Sequence, residues 1–398
     1  MKIGIYGGTF NPIHRGHMAA ARQAAEALKL DKLLLIPTRV PPHKALTEDV
    51  AGPEHRLEMT RFAVQALNLD GVAEASDLEL RREGKSYTLD TLREIRALYP
   101  KGELFLLLGT DMFLTFHQWR HPEEIAKLCT LCAFHRSALD SAGDFASQKR
   151  RLERKFGAHV KFVDLQEVVD ISSTRLRQML PAGQGREFLA PAVYGCILRE
   201  GLYGTNADLR RLSLEDLRCV ALSMLDPRRI PHVLGTEETA AALALRWGAD
   251  EESARRAALL HDCTKKFEKE LQLALCRQYG IEPDAAERRE GKLLHAITGA
   301  AVAYADFGVS GEVRDAIRWH TTGKADMTLL EKIIYLADYI EPTRDFCDLT
   351  ELRRLAFEDL DGALLLGFTM AVEDLAKKGM PVHPNSVLAR DYLKGKRP

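Results

Sequence analysis

Two sets of residues have the types and spacing for chemistry. His14 and His17 stand three apart inside Gly7-Gly8-Thr9-Phe10-Asn11-Pro12-Ile13-His14-Arg15-Gly16-His17, and a helical turn there puts both imidazoles on one face. Gly7 and Gly8 let a backbone turn approach an anion with no Cβ in the way. In the second half, His232, His261, Asp262, His295, His320 and Asp338 each lie in or beside apolar sequence, where an unpaired charge is expensive. One such histidine is explained as a hydrogen-bonded core residue. Four of them with two aspartates require a shared cation, and neutral imidazole plus carboxylate suits a first-row transition metal.

The first set needs a strand before it and a helix after it. Residues 2–6 read as a buried strand, and residues 18–28 are rich in strong helix formers. Strand, glycine turn and helix present backbone N–H groups to a phosphate, although the string is neither the GxGxxG nor the GxxxxGK[ST] pattern. Residues 32–37 and 103–109 read as further buried strands. The first opens into Pro41-Pro42-His43-Lys44 and the second into Thr110-Asp111. Both lie at carboxyl ends, outside which ligands bind in open α/β sheets. Residues 54–67 read as a helix, and residues 86–92 start another with Ser86 or Thr88 as its cap. Trp119 follows in a loop. A late strand at 159–163 precedes Ile171-Ser172-Ser173-Thr174-Arg175-Leu176-Arg177. There the hydroxyls supply an N-cap and the N–H groups behind them a second anion site. Arg177, one turn in, reaches the same phosphate with its planar fork. Alternating strands and helices over about 200 residues imply an α/β doubly wound parallel sheet.

From residue 208 onward strand-like runs give way to helix-length amphipathic segments, which implies an all-α domain over 207–398. Ser213 caps the helix that starts at Leu214. Residues 282–292 read as a solvated loop, and residues 140–155 as an exposed helix face rather than a nucleic-acid patch. The 398 residues suggest two or three domains at roughly 150 residues each. A net charge of −1 gives no global pull toward nucleic acid or anionic membrane. No run reaches the ~18 apolar residues of a membrane span, and the amino terminus has no signal-peptide layout, so the expected location is cytoplasmic. The seven cysteines are odd in number and scattered, which argues against a disulfide framework. Cys129 and Cys132 read as buried strand residues. A homo-oligomer is compatible with this composition but not selected by it.

Together with PPHK, SYTLDTL, LGTDMF, the later Trp119 and ISSTRLR, the string GGTFNPIHRGH resembles the bacterial nicotinate-nucleotide adenylyltransferases of the nucleotidyltransferase superfamily. The resemblance covers residues 1 to about 205 and implies transfer of AMP from ATP to nicotinate mononucleotide, with Mg²⁺ arriving on the phosphates. It implies that Gly7, Gly8, Thr9, Phe10, His14, His17, Ser172, Ser173, Thr174 and Arg177 bind ATP, with His14, His17, Lys44 and Arg177 as the catalytic set. Lys44 would also assist the mononucleotide, Asp111 would contact the nucleotide, and Thr88 and Trp119 would line the nicotinate pocket. Where that family often has Arg-Pro-Gly after its fifth strand, this chain has His135-Arg136-Ser137, and Arg136 is expected to keep the substrate contact.

The strings HVLGTEETA, LLHDCTK, LLHAITGA, AIRWHTTG and MTLLEKIIYLADYIEPTR are similar to HD phosphohydrolases, in particular the family that cleaves diadenosine tetraphosphate to two ADP. That similarity implies one metal on His232, His261, Asp262 and Asp338 and a second on His295 and His320. Iron in a dinuclear site is the expectation, with manganese the alternative. Lys265 and Arg344 would meet substrate phosphates. The combined reading is a bifunctional enzyme, with an adenylyltransferase at 1–205 and a metal-dependent phosphohydrolase at 207–398. Its rivals are an HD domain that binds a nucleotide as regulator or hydrolyses a different one, and a first domain with another acceptor.

Overall fold

The computed structural model describes residues 1–41, 50–135, 142–345 and 347–395. Lys44 and Arg136 lie outside them. The chain divides into two compact units, one from Met1 to Asn206 and one starting at Ala207.

The first unit is built on six parallel strands: β1 (Lys2–Gly8), β2 (Lys32–Pro37), β3 (Ala73–Ala75), β4 (Glu103–Leu108), β5 (Thr130–His135) and β6 (Val160–Asp164). Their order is β3-β2-β1-β4-β5-β6. The connections hold α1 (Arg15–Leu28), α2 (Pro53–Ala66), α3 (Thr88–Leu98), α4 (Thr110–Thr115), α5 (Pro122–Leu128) and α6 (Ala142–Phe156), and β6 is followed by α7 (Ser173–Met179) and α8 (Pro191–Arg199). Apolar runs such as Leu33-Leu34-Leu35-Ile36 and Leu104-Phe105-Leu106-Leu107-Leu108 are buried along their length, as strands covered on both faces require. The strand order reverses between β1 and β4, so the carboxyl ends of those two strands open a crevice. The glycine string leaves β1 there, and Asp111 follows β4 there in the first turn of α4.

This is the doubly wound sheet that the sequence indicates, with differences in detail. The three-residue edge strand β3 carries no apolar run and is invisible to pattern reading. The cap of α3 is neither Ser86 nor Thr88: Tyr87 occupies that position without a side-chain cap bond, and Thr88 is the first helical residue. Cys129 lies at the carboxyl end of α5 rather than in a strand, while Cys132 is in β5; both are buried.

The second unit is helical: α9 (Leu214–Ser223), α10 (Ile230–Trp247), α11 (Glu251–Leu260), α12 (Lys269–Gln278), α13 (Ala285–Arg289), α14 (Leu294–Phe307), α15 (Gly311–Trp319), α16 (Leu329–Ile340), α17 (Thr350–Glu358), α18 (Leu360–Lys377) and α19 (Pro384–Gly395). Ser213 caps α9 through the Asp216 N–H. The stretch 282–292 is not a plain solvated loop. It contains α13, closed by a capping box between Asp284 and Glu287, and Glu287 is buried against Arg318. Helix α10 packs on α11 and α16, α14 on α15, and α15 on α16, which gathers five helices around one centre. Among the described residues, no helix is long and apolar enough to cross a membrane.

Candidate functional sites

In the first unit the string 7–17 forms the end of β1, a turn and the start of α1. Phe10 takes a left-handed backbone (φ 47°), and its ring lies between Tyr6 and His17, with centroids 5.6 and 5.2 Å away. His14 precedes α1, and the His14 and His17 ring centroids lie 3.8 Å apart with their planes tilted by 35°. The His14 backbone N–H donates to His17 Nδ1 at 3.3 Å. That bond places the His17 proton on Nε2, which leaves an N–H donor on the outer edge of the ring. Gly16 has a steric reason to be glycine, since a Cβ there would sit 3.0 Å from His14 Nδ1 and 3.2 Å from the Val169 carbonyl.

Burial pushes the His14 imidazole down to about 4. Burial, with the nearby His14 adding to it, holds His17 well below the ordinary imidazole range. Both rings are therefore neutral at pH 7 and act as hydrogen-bonding groups rather than cations. The folded chain binds these protons less readily than the unfolded chain. The stability these two rings contribute is thus fully present above pH 6.5 and is lost as the pH falls from there toward about 4. Urea midpoints across that window are expected to drop more steeply for the wild-type chain than for His14→Asn.

The segment 171–177 meets the string, although differently from a pure phosphate site. Ser172 caps α7 by accepting the Arg175 N–H at 3.2 Å. Ser173 Oγ donates to the Pro12 carbonyl at 2.9 Å, and Arg177 Nη1 donates to the Asn11 carbonyl at 2.9 Å. Thr174 is exposed. Ser173 and Arg177 thus hold the turn as well as standing near it. Thr88 is half-buried at the start of α3, and Trp119 packs on Phe116 with centroids 5.2 Å apart. Arg120 lies over the Tyr87 ring at 4.5 Å and joins these two segments. Arg56, Asn11 and Tyr203, which sequence reading did not single out, also anchor the turn.

In the second unit all six metal candidates converge. His232 lies in the first turn of α10, His261 and Asp262 follow α11, His295 opens α14, His320 follows α15, and Asp338 is in α16. His232 Nε2 is 3.1 Å from Asp338 Oδ1 and 3.7 Å from Asp262 Oδ2. His261 Nε2 is 3.3 Å from Asp262 Oδ2 and 3.7 Å from Asp338 Oδ1. On the other side of the same carboxylate, Asp262 Oδ1 is 3.2 Å from His295 Nε2 and 3.9 Å from His320 Nε2. Asp262 thus presents one oxygen to each pair of imidazoles.

Each histidine is oriented through its other nitrogen. Nδ1 of His261, His295 and His320 faces the carbonyls of Ala258, Lys292 and Ile317 at 2.6, 2.5 and 2.7 Å. His232 Nδ1 faces Glu341 Oε1 at 3.0 Å. With the proton on Nδ1, each neutral ring would turn its Nε2 lone pair inward, as metal-bound histidines require; at His261 burial is outweighed by Asp262 and Asp338, which raise that imidazole above its ordinary range until a cation replaces its second proton. His232 Nε2 and His261 Nε2 are buried with no hydrogen-bond partner among the described residues. Burial opposes ionisation of Asp262, but His261 and Lys265 outweigh it and hold that carboxyl well below the usual range. At Asp338 burial is likewise overcome, by His232, His261 and Arg344. Burial lowers His295 and His320. Charged carboxylates, inward lone pairs and orphaned buried nitrogens fit a divalent transition metal.

Among the described residues, three cations rim the centre. Lys265 Nζ is 3.0 Å from Asp262 Oδ1, Arg344 Nη2 is 2.7 Å from Asp338 Oδ1, and Arg229 Nε is 2.8 Å from Asp262 Oδ2. Arg229 escaped sequence reading because Arg228-Arg229 looks like an ordinary surface pair. Glu341 escaped it too, although Gly235, one turn after His232, was a signal. A Cβ there would fall 2.6 Å from Glu341 Oε2, so glycine makes room for the carboxylate that orients His232. Glu341→Ala is expected to weaken metal affinity about 10- to 100-fold, measured by titrating the purified chain with metal.

Comparison with known proteins adds family relationships. A Cytidylyltransferase-like family model matches residues 5–179, and an HD domain model matches residues 229–343. A probable nicotinate-nucleotide adenylyltransferase of Clostridium tetani is 34% identical over 203 residues, spanning 51% of this chain and 98% of that protein. The protein of the same description from Shouchella clausii is 38% identical over 206 residues, 52% of this chain and 98% of its own length. Among solved structures, a predicted HD superfamily hydrolase involved in NAD metabolism from Clostridium acetobutylicum is 40% identical and covers 47% of this chain and 99% of that one, at a TM-score of 0.45. On these relationships the chain belongs to the nicotinate-nucleotide adenylyltransferase family and carries an HD domain in addition.

Proposed function

We propose that the chain transfers AMP from ATP to nicotinate mononucleotide, giving deamido-NAD and pyrophosphate, and that its HD domain cleaves diadenosine tetraphosphate symmetrically to two ADP. The first activity rests above all on the neutral His14–His17 pair at the crevice between β1 and β4 in a chain of this family. A phosphate oxygen of the mononucleotide attacks the α-phosphorus of ATP. The new P–O bond forms as the α–β bridge breaks, and pyrophosphate leaves with the electron pair. No protein nucleophile is needed: catalysis is the positioning of two polyanions and the stabilisation of charge on the leaving group. His17 offers its Nε2–H, Gly7, Gly8, Thr9 and Phe10 offer backbone, and Ser172 and Thr174 offer hydroxyls. Ser173 and Arg177 hold the turn that aims these groups. Asp111 contacts the nucleotide, Thr88 and Trp119 line the nicotinate pocket, and Lys44 and Arg136 supply cations to the substrates. Magnesium enters with the ATP phosphates and offsets their charge.

The second activity rests on the sharing of Asp262 between two pairs of imidazoles. His232, His261, Asp262 and Asp338 would hold one iron or manganese, and His295, His320 and Asp262 another. Such ions supply Lewis-acid stabilisation of charge on phosphoryl oxygens. Arg229, Lys265 and Arg344 bind the substrate phosphates, and Glu341 keeps His232 in register. Water adds across the central P–O–P bridge, so that one ADP keeps the bridging oxygen and the other gains the oxygen of water.

The purified chain tests both parts. With ATP and nicotinate mononucleotide it should form deamido-NAD and pyrophosphate in equal amounts, faster than with nicotinamide mononucleotide. With iron or manganese and diadenosine tetraphosphate it should form ADP alone. Absence of deamido-NAD defeats the first part. Binding of the dinucleotide without ADP makes the HD domain a nucleotide-binding regulator instead.

A further inference from the structure

Arg56 is among the largest fully buried side chains of the chain, with 0% exposure. Its Nε donates to the Ala51 carbonyl at 3.0 Å, Nη1 to Thr9 at 2.8 Å and Thr38 at 2.6 Å, and Nη2 to Arg39 at 3.1 Å. These carbonyls belong to three separate segments: the turn after β1, the exit of β2 and the entry to α2. The packing of α2 on the sheet is already supplied by Met59, Phe62 and Ala63, so stability alone does not require a guanidinium there, and burying one costs free energy. The same corner is tied a second time. Asn11 Oδ1 accepts the Ala51 N–H at 3.0 Å and the Tyr203 hydroxyl at 2.8 Å.

The consequence follows from peptide geometry. In a planar trans peptide the C=O and the next N–H point in opposite directions. Fixing the carbonyls of Thr9, Thr38 and Arg39 on Arg56 therefore turns the N–H groups of Phe10, Arg39 and Val40 away from it. Phe10 also sits at φ 47°, a conformation that costs a bulky residue free energy unless its surroundings hold it. We infer that Arg56, supported by Asn11 and Tyr203, is a positioning residue that presets the turn 9–12 and its amides for the phosphates of ATP. Arg56 touches no substrate and acts only through the peptides it holds. The inference rests on the proposed adenylyl transfer for the identity of the anion.

The test uses the full chain with Arg56→Lys, which keeps the charge and loses the fork. At temperatures well below its melting point, kcat/KM for ATP is expected to fall about 100-fold, the cost of a displacement near 1 Å, while KM for nicotinate mononucleotide changes less than about threefold. Calorimetric affinity for a non-hydrolysable ATP analogue is expected to fall in parallel. A merely structural arginine would lower the melting temperature and leave these ratios alone. A folded Arg56→Lys chain with wild-type ATP affinity overturns the inference. If wild type binds the analogue but makes no deamido-NAD, the proposed acceptor is wrong, and the affinity ratio still decides the role of Arg56. Should Arg56→Lys fail to fold, Tyr203→Phe loosens the same corner. Analogue binding about 3- to 10-fold weaker in that variant supports the inference, and unchanged binding overturns it.

Discussion

On the proposed metal-dependent hydrolysis, Asp262→Asn is expected to abolish metal binding by the HD domain and lower ADP formation about 1,000-fold, while adenylyl transfer by the same chain is unchanged. The carboxylate is fully buried and uses both oxygens, one toward His232 and His261 and one toward His295 and His320. An amide keeps one acceptor and turns an NH₂ toward the other imidazole pair, where a lone pair is needed. A loss of about 4 kcal/mol of transition-state stabilisation corresponds to that factor. The domain should remain folded. The counter-cations Arg229 and Lys265 have side chains 29% and 31% exposed, enough to turn toward water once the carboxylate is gone. Metal analysis, ADP release and circular dichroism on one preparation check all three statements. Full metal content in a folded Asp262→Asn chain would remove Asp262 from the ligand set.

His17→Ala should lower kcat for adenylyl transfer about 100- to 1,000-fold, the usual cost of removing one preorganised donor to developing charge. The donor exists because of a tautomer. The His14 amide occupies Nδ1, so the proton resides on Nε2 and a neutral ring still donates. Because both rings are neutral well below pH 7, the rate should show no alkaline loss traceable to an imidazolium. An alkaline limb near the ordinary histidine pKa that His17→Ala abolishes would show that the ring works as a cation after all. Pyrophosphate release followed between pH 6 and pH 9 separates the two cases. Substrate binding at KM should change less than kcat, since the donor is aimed at charge that grows as the bond breaks.

The sequence was most legible where local pattern and chemistry coincide. The glycine string lies between a strand and a helix that both announce themselves, so its place at the crevice followed from topology. The six metal candidates were readable because charged residues in apolar runs have few explanations, and the helices carry them to one centre. What stayed hidden depends on partners far away in the chain. Arg56 looks like one more helical arginine until its carbonyls, as distant as Thr9, are in place. Glu341 is 109 positions from the histidine it orients. The strand Ala73–Ala75 is held by its neighbour rather than by its own composition, pairing through Leu33, Leu34 and Leu35. The cap of α3 was misread because hydroxyls flank Tyr87 on both sides, and the structure caps with neither. Residues 282–292 read as solvated from their charge-rich composition, whereas Glu287 is paired inward with Arg318.

The leaning of His232 on Glu341 also bears on the order in which the chain is made. The first donor to leave the ribosome is aimed by nearly the last residue of the set, and Asp338 emerges just before it. A nascent chain stalled before that point lacks Asp338 and leaves His232 without the carboxylate that orients it. The full set of six therefore comes together only once α16 and the Glu341 beyond it have been made.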